Sequence, residues 1–116
     1  AIKTDDSLWV WGANSKGQLG DGTTANKSSP VQLAGSFLFA AMGAQHSAFI
    51  KTDGTLWTTG YAGLGQTGLG NTTQISSPLQ VGSLTDWRKV YAGTHFCAAL
   101  KSDDSLWTWG GKGSTW

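Results

Sequence analysis

Three near-copies of one short strand constrain this chain more than any other feature. Leu8-Trp9-Val10-Trp11-Gly12 returns as Leu56-Trp57-Thr58-Thr59-Gly60 and again as Leu106-Trp107-Thr108-Trp109-Gly110. The likeness reaches upstream, where Ile2, Lys3 and Asp5 recur as Ile50, Lys51 and Asp53, then as Leu100, Lys101 and Asp103. The offsets are 48 and 50. Pro30 and Pro78 keep the first spacing, whereas Gly43 and Gly93 are 50 apart, so two extra residues lie between Pro78 and Gly93. A period near 50 that carries several short strands is the mark of a propeller blade. Leu8 and Val10 point to one side of their strand, Trp9 and Trp11 to the other. Two apolar faces suit a sheet packed between two neighbours. The tryptophan of each copy is therefore expected to fill a layer between blades.

Within a unit, Ala48-Phe49-Ile50 and Thr55-Leu56-Trp57-Thr58 flank Asp53-Gly54, which predicts a hairpin with a type I′ turn. Asp6 and Asp104 replace that glycine in the other copies and are expected to take up the left-handed region. Strands are expected near 46–50, 55–59, 96–100 and 105–109, with Trp57 buried between two blades. Long polar stretches follow, residues 13–29 and 61–77, each with a leucine anchor, Leu19 or Leu69. Pro30-Val31-Gln32-Leu33 and Pro78-Leu79-Gln80-Val81 then read as edge strands, since proline suits the first residue of such a strand. No helix is expected. Glu is absent, all seven acids are Asp, and Ser plus Thr number 26, a balance that depletes helix formers and enriches turns and strands.

Composition also excludes several function classes. A net charge of +1 offers no basic field for phosphate backbones or anionic membranes, so no nucleic-acid partner is expected. No run of about 18 apolar residues is present, so no membrane insertion is expected, and no signal peptide is visible. The single Cys97 can build neither a disulfide framework nor a thiolate zinc site. It reads as a small buried hydrophobe. His46 and His95 each stand alone, without a carboxylate at ligand spacing, and read as structural hydrogen-bonding residues. The pairs Asp5-Asp6 and Asp103-Asp104 resemble paired carboxylates but sit in hairpin turns, where turn chemistry accounts for them. The glycines of residues 60–65 lack the spacing of a phosphate-binding loop. Asn26-Lys27-Ser28 and Asn71-Thr72-Thr73 have the form of glycosylation sequons, which matter only in a eukaryotic secretory protein. Trp9, Trp57 and Trp107 read as core; Trp87 and Trp116 cannot be assigned a face. No catalytic, metal or cofactor site is expected.

Three ordered elements resemble the regulator of chromosome condensation repeat. Gly43-Ala44-Gln45-His46-Ser47-Ala48-Phe49-Ile50 is similar to its first strand, Leu8-Trp9-Val10-Trp11-Gly12 to its second, and Gly17-Gln18-Leu19-Gly20 to its loop. The second unit departs from this pattern: Phe96 stands where His46 would recur, His95 comes one place early, and the loop reads Thr67-Gly68-Leu69-Gly70. The repeat positions are thus Leu8, Trp9, Gly12, Leu19, Gly43, His46, Leu56, Trp57, Gly60, Leu69, Gly93, Leu106, Trp107 and Gly110.

The resemblance implies an all-β, seven-bladed propeller of which this chain is a fragment. A full ring needs roughly 350 residues at this period, and the chain supplies about two and a third units. The units run over 1–12 (partial), 13–60 and 61–110, with 111–116 outside the pattern. The resemblance further implies a non-enzymatic scaffold that binds another protein through its loop faces, or packs against the remainder of its own propeller or adjacent copies. Phrasing such as "IKTDGTLW" looks bacterial or bacteriophage-like, so an extracellular, cell-surface or virion setting is expected, with a cytoplasmic one as the other option. Two rivals remain: a guanine nucleotide exchange factor for a small GTPase, and a carbohydrate-binding propeller.

Overall fold

A computed structural model describes residues 1–63, 65–70 and 73–110. Among these residues nine strands follow one another: β1 (Leu8–Gly12), β2 (Lys27–Leu33), β3 (Phe37–Met42), β4 (His46–Lys51), β5 (Leu56–Gly60), β6 (Ile75–Gln80), β7 (Trp87–Ala92), β8 (Phe96–Lys101) and β9 (Leu106–Gly110). Among the described residues there is no helix. The strands form three antiparallel sheets, ordered β1-β2, β3-β4-β5-β6 and β7-β8-β9. The sheets are staggered against the sequence repeat. The complete sheet spans residues 37–80 and takes its first three strands from one unit and its fourth from the next.

The hairpins follow the sequence, with one correction. In the turn between β4 and β5, Gly54 N–H donates to Lys51 C=O (2.9 Å) and Lys51 N–H to Thr55 C=O (3.0 Å). Only Gly54 has positive φ there, at 84°, so this is a type I turn closed by one left-handed residue rather than the type I′ turn expected from Asp-Gly. Asp6 and Asp104 do occupy the left-handed region, at φ 67° and 68°. An Asx turn fixes this geometry. Asp53 Oδ1 accepts from Thr55 N–H and from its hydroxyl, which leaves Asp53 no reason to adopt positive φ itself.

Two apolar clusters lie between the sheets. Leu8, Val10, Leu19 and Leu33 meet Phe37 and Phe49 of the central sheet. On its other face, Ala48, Ile50 and Leu56 meet Trp87, Val90, Cys97 and Ala99. Consecutive residues of β4 thus supply both clusters, and Ala48, Phe49 and Ile50 are fully buried. This is why the strand reads as an unbroken apolar run.

The tryptophans need correction. Trp57, expected to be buried between blades, is half-buried and packs on the margin of the first cluster. Trp9 is half-buried as well, and Trp107 is 50% exposed. The interior of the layer belongs to the leucines and phenylalanines; the indoles close its edge. Leu106 shows what a neighbour does: it is 62% exposed, while its counterpart Leu56, covered by the third sheet, is fully buried.

Candidate interaction site

One polar module recurs at the three turns that lead into β1, β5 and β9. Asp5, Asp53 and Asp103 each accept the hydroxyl hydrogen bond of Ser7, Thr55 or Ser105 at 2.6 Å. Those hydroxyl oxygens accept from Trp9, Trp57 and Trp107 Nε1–H at 3.0, 2.7 and 3.1 Å. A lysine then lies over each indole: Lys3 over Trp9 (4.7 Å to the ring centroid), Lys51 over Trp57 (4.0 Å) and Lys101 over Trp107 (4.6 Å). Hydrogen bonds from the Ser and Thr partners hold all three carboxyls below the usual carboxylate range. At neutral pH such a carboxylate is an acceptor, not a proton donor. The module escapes a reading of the sequence because Lys3, Asp5 and Trp9 stand out there only as repeated letters. The signal was the spacing Lys-x-Asp-x-[Ser/Thr]-Leu-Trp.

A second set of bonds joins the sheets. Ser47 Oγ–H donates to Gln18 C=O (2.6 Å), and Thr59 Oγ1–H to Gly17 C=O (2.9 Å). At the next joint Cys97 Sγ–H and Trp109 Nε1–H both reach Gln66 C=O, at 3.6 and 2.8 Å. On the hairpin side, Phe37 N–H donates to Asp6 C=O and Trp87 N–H to Gly54 C=O. The ends of the molecule are therefore tied from blade to blade. Trp11, the counterpart of Trp109, is 51% exposed.

The remaining candidate residues fall into place around these joints. His46 is buried, with Nε2 3.1 Å from Phe96 C=O, so Nε2 carries the hydrogen and Nδ1 faces the backbone of Gly43. Burial pushes its pKa down; the Phe96 carbonyl opposes this, and His95 adds a smaller lowering. His95 itself is exposed. Cys97 is buried, and burial pushes its thiol up to about 12, so it is no nucleophile at neutral pH. Trp87, which the sequence could not assign, is 7% exposed and sits inside the second cluster, edge-on to Trp107 at 6.2 Å. Trp116 and the residues Asn71 and Thr72 of the second sequon lie outside the described residues. Asn26 of the first sequon is exposed, and its Oδ1 accepts from Asn14 N–H.

Asn14 organises the first loop. It is fully buried, its Nδ2 lies 3.0–3.1 Å from Asp21 Oδ1 and from the carbonyls of Thr23 and Ala25, and its Oδ1 accepts from Leu19 N–H. Partial burial pushes Asp21 up, but hydrogen bonds from Thr23 and Asn14, with Lys27 nearby, outweigh it and hold the carboxyl low. Residues 22–26 stand exposed on this frame. The second loop lacks the asparagine: Ala62 takes its place, Gln66 and Thr67 are buried, and Thr58 Oγ1–H donates to Thr67 C=O. Leu69 is half-buried where Leu19 is buried. Self-comparison hides Asn14, because only one unit carries it.

Beside the first loop lies a groove of about 330 Å³ lined by Trp9, Trp11, Leu19, Met42 and Ala44. Gln18 and Ser47 make the lining mixed rather than apolar, and it holds no acid–base pair. Among the described residues no group of three His, Cys, Asp or Glu could hold a metal ion. No described helix is long and apolar enough to cross a membrane. What the site offers is shape, exposed loop tips and half-exposed aromatic rings.

The model of the regulator of chromosome condensation (RCC1) repeat matches residues 5–50 and 53–100. Among curated proteins no relative matches the sequence. Three solved structures share the fold. Human WBSCR16 is 22% identical with a TM-score of 0.83, over 99% of this chain and 32% of its own. Yeast RCC1 (Prp20), solved with Kap60, is 24% identical with a TM-score of 0.76, over 95% and 29%. Prp20p of Saccharomyces cerevisiae, described together with its binding to Gsp1p and histones, is 23% identical with a TM-score of 0.79, over 95% and 30%. The chain thus spans about a third of the length of these structures.

Proposed function

From the premise that this chain belongs to the regulator of chromosome condensation (RCC1) repeat family, we propose that it is part of a non-enzymatic propeller that binds another protein through its loop face. The observation that carries this is the division of labour between residues. The repeated side chains are consumed by hairpins, joints and clusters, while the exposed Thr23, Ala25 and Asn26 differ in sequence from their counterparts Asn71, Thr73 and Gln74 and rest on the Asn14–Asp21 frame. A rigid scaffold with variable loops is where recognition concentrates. Binding of Gsp1p and histones by Prp20p, and of Kap60 to Prp20, supports protein partners as the class. The setting we favour is a cell surface or virion, supported by the absence of Glu and by the Ser- and Thr-rich loops.

With a net charge of +1, partner affinity should vary little with ionic strength. The test is a pull-down at low and high salt, with residues 13–29 exchanged for 61–77. Loss of the partner on exchange, at either salt, is the expected result. Binding that survives the exchange would move the interface elsewhere. Turnover of a substrate that His46→Ala abolishes would overturn the non-enzymatic reading.

A further inference from the structure

We propose that the joint between the central and third sheets opens in acid at its loop end, with His46 as the trigger and Cys97 as the side chain it uncovers. His46 is buried and spans the joint: its Nε2–H donates to Phe96 C=O of β8 at 3.1 Å. Its Nδ1 is buried too and has no hydrogen-bond partner among the described residues. That nitrogen lies against Gly43, where a side chain would strike both the imidazole and the Gly93 carbonyl. The ring is thus wedged between the turn before β4 and the turn before β8.

A proton can enter this ring only at Nδ1, and the surroundings give the resulting charge no support. β3 and β5, on either side of β4, carry no titratable side chain. β4 and β8 hold Lys51 and Lys101 at their far ends, and β8 holds Cys97 beside the bond. β7 contributes Arg88, Lys89 and Tyr91, and the first loop Lys16 and Asp21. The charge that reaches the ring is that of His95, in the turn before β8, and a positive His95 opposes a second proton. In the third sheet Phe96 fills the corresponding place against Gly93, so the site accepts a ring with no charge at all. A buried N–H without an acceptor costs its full desolvation.

Opening relieves that cost. The polar links at the loop end are His46 to Phe96 C=O, and Cys97 with Trp109 to Gln66 C=O. Cys97 follows Phe96 in β8, so a strand end that parts from His46 carries the thiol with it, and that thiol is fully buried while the joint is closed. The hairpin end is held separately, by Trp87 N–H to Gly54 C=O and by Ile50 and Leu56 against Val90 and Ala99. The first joint has links of its own, Ser47 to Gln18 and Thr59 to Gly17, and those hydroxyls do not titrate. Acid therefore loosens one end of one joint and leaves the strands paired, a local opening rather than loss of the fold. The open form takes up its proton at the ordinary histidine value of 6.5, the closed form only below it. The opening constant should be steady above that value. Below it, the constant should rise by at most about tenfold per pH unit until the closed-state pKa is reached.

The test measures how fast 4,4′-dithiodipyridine, a disulfide that reacts with thiols even in acid, modifies Cys97 in the intact protein, read at the Cys97 peptide by mass. Rates between pH 7.5 and 5 are divided by those of the urea-unfolded chain at the same pH. Protection of Cys97 should be constant above 6.5 and fall below it, with a weaker urea dependence than global unfolding. His46→Phe, which copies the third sheet, should remove the fall. If that variant does not fold, His46→Gln, which keeps a donor for the Phe96 carbonyl, takes its place. His95→Ala should retain the fall. The proposal is overturned by protection that does not change with pH, by a fall that persists in the His46 variant, or by its loss in His95→Ala. A urea dependence equal to that of global unfolding also overturns it, since Cys97 would then be reached only when the whole fold is lost.

Discussion

At the scale of single residues, the informative side chains are polar ones that hold apolar ones in place. Thr55 is the hub of its hairpin, accepting from Trp57 and donating to Asp53, and it is 6% exposed. Thr55→Val keeps the shape and orphans the indole N–H, so a loss of about 1–2 kcal/mol is expected in urea denaturation. His46 gives a pH signature. Its pKa is lowered in the fold, so the unfolded chain takes up the proton first as pH falls. Stability should be complete above the ordinary value of 6.5. Below it, stability should decline by at most about 1.4 kcal/mol per pH unit until the folded-state pKa is reached. His46→Phe, the residue found at the matching place in the other unit, should flatten that slope. The lowered Asp5, Asp53 and Asp103 act in a separate window: their contribution is present above 3.8 and lost as pH falls through their folded values. Thermal melts at pH 7.5, 5.5 and 3 distinguish the two.

Among the elements, the hairpins show where repetition misleads. Asp6 and Asp104 suggest that Gly54→Asp would be harmless. It should instead destabilise by about 2 kcal/mol or more, because a Cβ at Gly54 falls on the Thr85 carbonyl. Thr85 lies in the segment that holds the two extra residues between Pro78 and Gly93. Equal melting temperatures for Gly54→Asp and the parent would contradict that packing. The strands themselves were legible from sequence. His46–Lys51 and Leu56–Gly60 lie within a residue of expectation, since an apolar run bounded by a turn admits little else. The depth of the indoles was not legible. A tryptophan on an apolar face looks like core, and only the hydroxyl two residues upstream discloses that its N–H is held at the rim. The joints were invisible for a further reason: Ser47, Thr59 and Cys97 bond to carbonyls, and a carbonyl leaves no trace in a sequence.

For the molecule as a whole, stability is divided between two clusters that share one sheet. Phe49 is fully buried in the first and meets Phe37 edge-on at 5.8 Å. Phe49→Ala should cost about 3–5 kcal/mol. Because Ala48 and Ile50 of the same strand feed the second cluster, exchange protection should fall in β7 and β8 as well as in β1. Protection lost only on the β1 side would mean that the two layers fold independently. The stagger between sheet and repeat has a consequence for how such a chain can change its length. Gly60 ends a repeat but lies in mid-sheet, so a break there severs a blade instead of parting two. A duplicated stretch of 48 residues, wherever it is cut, carries one full complement of inner and outer strands, one glycine loop and one joint. Every seam it creates repeats the strand pairing of one the molecule already contains, though not its side chains. The array can therefore lengthen by copying, each added unit bringing the strands and the loop that its neighbour needs.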